Sequence, residues 1–515
     1  MKVKVLYVPL DERPCNYVYP QNLADMTEDI QLLKPPFEYM GKIKRPSDTE
    51  KMWEWLFENV KECGYAIISI DALFYGNIIN SRIHNKTLGD CDKYLNNLRK
   101  LKELNPKLEI HGFNLVARAA AYNSDAEDPS YWKDHGYDIW KCGYLKDRIE
   151  AGSGSEEEKS ELDLLISKIP REYMEDFLNR RRINNYVNKM CLKLVKESVI
   201  DYLVIPKDDC SEFGYATLEQ NELSKEISKH RISDRVMVYP GADEVGSVLL
   251  TRIFNKIKGY TPKIYVKYSS TYGPTIVPKY EDRPLNESIK SQISSIGGIM
   301  VTSASESDLL LAVHSPGRYM IEAIDQYTKD RSFTNYTNIT EMINYLLFYR
   351  STYGKPYAIA DVAFSNGSDS EFMRLARKCG VFENVCAYGG WNTSQNTIGL
   401  ALAHGCLCSH YKMFDNNENK MRISIEFLLK KIVSDWFLQA DVTPELLARK
   451  ADFPHIDYYH LCDHKEYMEN VIKDMLQKLI DNELEGKFFG SQVKLSDLNL
   501  PWDRIFEADL RFKFI

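Results

Sequence analysis

The 515-residue sequence has no apolar run of ~18 residues, the length at which a helix begins to span a bilayer. It opens with MKVKVLYVPLDERP, basic at the start, but the apolar stretch is short and Asp11 ends it, so no secretory leader is expected. A basic excess is missing too. Lys and Arg number 66 against 74 Asp and Glu, a net charge of −8, which argues against nucleic acid or a membrane surface as partner. The 11 Cys are odd in number and scattered, with only Cys406 and Cys408 close together. They form no double CxxC, which removes a zinc ribbon, and they read as reduced thiols of a cytoplasmic protein. The sequon Asn85-Lys86-Thr87 then carries no glycan. The 10 His form no HExxH, and the pair His460 and His464 reads as surface or core. GxxxxGK[ST], a GxGxxG after a strand, and GxSxG are all absent, so nucleotide cofactors and the serine-hydrolase elbow lack their fingerprints. No repeat of fixed period is visible.

What the chain does have is globular composition, 44% hydrophobic and 27% charged, and length for more than one domain. Short β-branched runs alternate with helical patterns. Strands are expected at 3–10, 30–35, 65–70, 108–117, 201–206, 235–240, 263–268, 308–315, 357–364 and 384–390. Between the second and third of these, DTEKMWEWLFENVKEC (48–63) is amphipathic, with Met52, Trp53, Leu56, Phe57 and Val60 on one face. This βαβα order implies parallel sheet covered by helices. Residues 120–198 interrupt it as a helical insertion, with AGSGSEEEKSE (151–161) as a small acidic loop. From about 415 the strand signals fade and a helical C-terminal region is expected, including a helix start at Thr443-Pro444.

Ligands of parallel α/β folds bind beyond the carboxyl ends of strands. Those positions hold Asp11, Glu12, Arg13 and Asn16; Asp71, Tyr75, Asn77, Ser81 and Arg82; Arg118; Asp208 and Asp209; Asp243 and Glu244; Asp361, Asn366 and Asp369; and Trp391, Asn392, Thr393, Asn396 and Thr397. Any one of them is explained by helix capping or turn chemistry, as at Asn366-Gly367. Glu219 and Glu222 read as a solvated helix face. The density of carboxylates, amides, Arg and Trp after nearly every strand is what capping does not explain.

The motifs VPLDERPCN, ALFYGN…SR, PKDD, PGADEVG, YEDRPL, NGSD and GWNTSQNTIG, in this order, resemble a bacterial family known only as domain of unknown function 4127. The likeness spans about residues 3–405. It implies that these strand-end residues are shared features of that family, and it implies no activity.

Paired carboxylates suit three tasks. In glycoside hydrolysis one carboxyl is the acid and another the base or nucleophile. With an N-acetyl sugar the substrate's own carbonyl attacks, and an Asp-Asp or Asp-Glu pair orients it and protonates the leaving oxygen. Asp208-Asp209 and Asp243-Glu244 both have this form. Trp391 and Tyr75 are candidates to stack on a pyranose, and Asp11, Arg13, Asp71, Arg118 and Asn392 to bind its hydroxyls. The expectation is an exo-acting glycosidase on a small glycoside, with no metal or cofactor, Asp209 as general acid and Asp208 orienting the attacking group. The second task is binding Mg²⁺ or Mn²⁺ through oxygens in an isomerase, aldolase or phosphohydrolase. The third is non-catalytic sugar binding. A homo-oligomer is compatible with all three.

For the fold, a (β/α)₈-barrel-like core with extra parallel strands is expected, because one barrel mouth gathers most motifs. The alternative is two doubly wound α/β lobes joined near 260–285. The domains follow as 1–300, 301–414 and 415–515.

Overall fold

The computed structural model describes residues 2–411, 418–453, 456–458 and 460–515. Eleven parallel strands form two open sheets of six and five. The first contains β1 (Val3–Val8), β2 (Ile30–Leu33), β3 (Tyr65–Ser69), β4 (Glu109–Phe113), β5 (Tyr202–Lys207) and β6 (Val236–Pro240), in the order β2-β1-β3-β4-β5-β6. The second contains β7 (Lys263–Tyr268), β8 (Ile299–Val301), β9 (Leu309–His314), β10 (Tyr357–Asp361) and β11 (Val385–Gly389), in the order β11-β10-β9-β7-β8. The barrel expectation is corrected here: among the described residues neither sheet closes. β7 pairs with β8 and β9, so it founds a new sheet and does not extend the first.

Both sheets wind the same way. The founding strand sends the chain to one edge, and every later strand adds on the other side. The order therefore reverses between β1 and β3, and again between β7 and β9. Strands inside these sheets are covered on both faces, so they are continuous apolar runs. β5 and β9 are buried at every residue. Each such Leu, Ile or Val contributes roughly 1.5–3 kcal/mol by leaving water.

The chain divides into two compact units. The first is Met1–Glu12, Asp29–Leu249 and Tyr280–Arg283; the second is Arg13–Glu28, Leu250–Lys279 and Pro284–Ile515. The division thus falls at Leu249 and not at residue 300. The boundary expected at 414/415 lies outside the described residues.

Three further expectations change. The insertion is a helical crossover from β4 to its neighbour β5, formed by Trp132–Glu150, Glu156–Lys168 and Arg171–Lys196. Its acidic stretch is not a loop throughout. Ser155 accepts the Glu158 N–H at 3.2 Å and Glu158 accepts that of Ser155 at 2.9 Å, a capping box that starts a helix. The C-terminal region is helical only in part. The helices Glu418–Lys431, Thr443–Ala448 and Lys465–Glu483 are followed by an antiparallel sheet of β12 (Lys487–Phe488), β13 (Ser491–Asn499) and β14 (Asp509–Phe514). Val493, Leu495, Leu498 and Leu510 face inward there. Phe489 and Gly490, with φ of 46° and 82°, make the tight hairpin turn between β12 and β13. No helix of the described residues is long and apolar enough to cross a membrane, and all eleven cysteines are free thiols.

Candidate functional site

In the first unit β5 ends at Lys207, and the next two residues are the carboxylate pair. The Asp209 N–H donates to Asp208 Oδ1 at 3.0 Å, turning the first side chain back along the chain. Asp208 is buried, and Arg82 donates to its Oδ2 at 2.5 Å. The Asp209 side chain keeps 30% of its surface and receives Arg118 at 3.2 Å. The same two guanidiniums hold a second pair of acids. Arg82 reaches Glu127 at 3.2 Å, and Arg118 reaches Asp128 at 2.8 Å and Glu127 at 3.3 Å. Four carboxylates therefore share two Arg.

This asymmetry separates two chemically identical neighbours. Burial alone pushes the Asp208 carboxyl up, but the charges of Arg82 and Arg118 and the hydrogen bond from Arg82 hold it below its ordinary value. Asp209 rises to about 6, through burial first and the charge of Asp208 second, against the pull of Arg118 and Arg82. Asp71, on the short helix Ile70–Phe74 after β3, is buried and accepts the Leu115 N–H at 2.8 Å. Burial, and to a smaller degree the charge of Asp208, pushes it to about 8. At about pH 6, therefore, Asp71 is neutral, Asp209 is at its midpoint and Asp208 is an anion.

A supporting layer locks these groups. Arg181, on the helix Arg171–Lys196, donates to the Ala117 carbonyl at 2.9 Å and the Arg118 carbonyl at 3.3 Å, which sets the Arg118 backbone. Glu219 holds Arg181 at 2.6 Å. Glu219 is therefore a half-buried ion-pair partner and not a solvated face residue, while Glu222 lies on the exposed face with Lys189. Lys207 is fully buried against Asp282 of the YEDRPL motif, and burial holds its ammonium below the ordinary lysine value. Arg283 clamps Asp282 at 2.8 Å and donates to the Val238 carbonyl at 3.0 Å.

The other expected residues of this unit are buried. Glu244 folds back to accept the Ala242 N–H at 2.9 Å. Gly241 makes room for it: its φ is 141°, and a Cβ there lies 2.2 Å from Glu244 Oε1. Asp243 and Asp11 are buried. Tyr75 is a correction to the stacking expectation. It is 4% exposed and lies flat on the His84 ring, with centroids 4.5 Å apart.

Arg13, Trp391 and Asn392 belong to the second unit. Arg13 lies over the Trp502 ring at 4.4 Å and 3.9 Å from Glu507. Trp391 also departs from the stacking expectation: it is 6% exposed, packs on Phe506, and donates its indole N–H to the Phe506 carbonyl at 2.8 Å. Asn392 is a turn residue at φ 67°, and its carbonyl accepts the Asn366 N–H at 3.0 Å.

The second unit has a polar cluster of its own at its strand ends. His314, ending β9, lies 2.8 Å from Ser269 Oγ, just past β7, and 3.0 Å from Asp369. The residue types are those of a serine-hydrolase triad, but His314 is 1% exposed and Ser269 Oγ already accepts the Ser315 N–H at 3.0 Å. Asp361, in register with His314 on β10, accepts the Asp369 N–H at 2.8 Å. This file joins strands and caps the helix Ser370–Lys378 through Asp369.

Glu127 and Asp128 escape sequence reasoning because they sit in the segment read as an insertion. The available signal is the run of Arg118, Glu127 and Asp128 immediately after a strand. Among the described residues no three His, Cys, Asp or Glu side chains form a group able to hold a metal ion. The family model described as "Protein of unknown function (DUF4127)" matches residues 5–511. No curated protein matches the chain.

Proposed function

The chain belongs to the DUF4127 family, whose description assigns no activity, and we propose from its own residues that it is a glycoside hydrolase. It is exo-acting on small glycosides, with N-acetyl amino sugars as the first substrate class and imported oligosaccharides as the source in a cytoplasmic setting. One observation carries the reading: adjacent Asp208 and Asp209 are driven in opposite directions, one held ionised by Arg82 and the other raised to about 6 while still reaching solvent. Acid catalysis needs such a division.

In the proposed reaction the N-acetyl carbonyl oxygen attacks C1 and the C1–O bond breaks. Asp209 gives its proton to the leaving oxygen, and Asp208 orients the acetamido N–H. Water then adds to C1 as the bond from C1 to the acetamido oxygen breaks, which restores the acetamide, returns a proton to Asp209 and releases the sugar. Arg82 and Arg118 orient the acids, and Asp71 is as enclosed as Tyr75. Asp243 and Glu244 are the weaker pair, because Glu244 is spent on its own loop.

The test is a panel of aryl glycosides, with and without N-acetyl groups, on wild type, Asp208→Asn and Asp209→Asn. Turnover that survives EDTA supports the reading. Turnover lost on chelation and restored by Mg²⁺ or Mn²⁺ favours the metal-dependent alternative. Thermal stabilisation by sugars with no turnover favours a binding protein. Mutants as fast as wild type overturn the assignment.

A further inference from the structure

A pocket of about 460 Å³ opens in the first unit, within the roughly 300–1,000 Å³ range of small-molecule sites. Its lining includes Lys44, Asn85, Asp128, Tyr131, Tyr173 and Arg180. Asp209 is not in this lining; Asp128 is, and it holds Arg118, whose other nitrogen holds Asp209.

Its walls are built rather than incidental. The loop carrying Lys44 is pinned by Asn77 to the Ile43 carbonyl at 2.9 Å and by Asn80 to the Lys44 carbonyl at 3.2 Å. Arg180 donates to the His84 carbonyl at 2.8 Å, to the Tyr131 hydroxyl at 3.2 Å and to Asp176 at 2.8 Å. Tyr131 and Tyr173 stack with centroids 4.9 Å apart and rings 14° from parallel. A preorganised wall of this kind costs little ordering entropy on binding.

The charges choose the ligand class. Lys44 and Arg180 stand against Asp128, Glu172 and Asp176, and Asp128 is already neutralised by Arg118. No excess of either sign favours an anion or a cation. What remains is an amide, hydroxyls and aromatic rings, the donors, acceptors and apolar edges that a neutral pyranose needs.

We propose that this pocket binds the sugar on the leaving side of the scissile bond, so that the substrate is a neutral disaccharide or longer oligosaccharide. The inference rests on the hydrolase reading for its position in the reaction, because Asp209 protonates the oxygen to which that sugar is attached. It stands on the pocket alone for ligand class.

The test separates the two. Calorimetric titration of Asp209→Asn with a panel of neutral disaccharides, and with inorganic phosphate as control, reads binding without turnover. Adding Tyr173→Ala, and separately the exposed Asn85→Ala, is expected to weaken disaccharide binding about tenfold, the loss of one stacking or hydrogen-bonding partner. In the active enzyme each change raises KM for a disaccharide. Each leaves kcat/KM unchanged for a glycosyl fluoride, whose leaving group does not reach the pocket. Binding of phosphate in place of sugars, no disaccharide binding, or equal binding by the variants overturns the inference. If sugars bind but neither disaccharide nor fluoride is turned over, the hydrolase reading fails and the pocket assignment stands.

Discussion

The two parallel sheets have the same winding, yet they treat the ends of their strands in opposite ways. In the first unit Asp209 reaches solvent among two Arg and three further acids, and its proton is loosely held near neutrality. In the second, Ser269, His314, Asp361 and Asp369 occupy comparable positions and are sealed from water. A topology that brings polar side chains together at the ends of parallel strands does not decide their use. Access and charge balance decide it. Where guanidiniums and carboxylates remain near water, a proton can be exchanged with a ligand; where they are enclosed, the same groups hold strands together.

The comparison can be broken most sharply by exchanging the effects of mutation. Asp209→Asn is expected to lower turnover by about 10²–10⁴ while the melting temperature holds, the range for loss of general acid–base help. Asp369→Ala should do the reverse. It strands a buried His314 and uncaps the helix Ser370–Lys378. A broken buried pair costs about 3–5 kcal/mol, read as a lower urea midpoint with kcat kept. Turnover lost with unchanged stability in Asp369→Ala would transfer the chemistry to the second unit.

The pH dependences sharpen the contrast. In the first unit turnover should fall as pH rises through about 6, where Asp209 loses its proton. Replacing Arg82 by Met removes the main charge that holds Asp208 down, and should move the acidic limb of the profile upward. In the second unit the linkage acts on stability. Burial pushes Asp361 to about 7, above the ordinary 3.8, so its contribution is full below about pH 4 and is lost as pH rises through about 7. Burial disfavours the charged His314, but the hydrogen bond it donates to Asp369 and the charge of Asp361 raise it, so its share is also lost as pH rises through its folded value. Asp369, held low by His314 despite burial, contributes above the ordinary value and loses that contribution as pH falls. Thermal melts across pH should therefore show stability falling on the alkaline side, with a smaller fall in Asp361→Asn. The smallest effect is expected at Ser155→Ala, which removes one half of a capping box for about 0.5–2 kcal/mol and leaves turnover alone.

Much of the parallel sheet is legible because YLVIP or LLLAVH, buried on both faces, has no other stable use. β8 is not, since three largely exposed residues at an edge carry no pattern. β13 and β14 are hidden for another reason: their outward positions are charged, and KLSDLNL and ADLRFKF imitate the polar face of a helix. The carboxylate pair is visible beside its strand, but its partners are not. Arg82 lies 126 positions from Asp208, and only pairing of β3 with β4 and of β4 with β5 makes them neighbours. Tyr75 and Trp391 mislead because an aromatic after a strand reads alike whether it lines a cleft or fills the interior.

The excursion of Tyr280–Arg283 into the first unit bears on how the chain is made. During synthesis all six strands of the first sheet leave the ribosome before Asp282 exists. Until then Lys207 is a cation committed to an interior with no counter-charge. A fragment ending at Leu249 lacks that counter-charge and is expected to bury Lys207 at a cost in stability. The last strand of the first sheet likewise gains the Arg283 hydrogen bond to the Val238 carbonyl only from a segment that follows β7 in the chain.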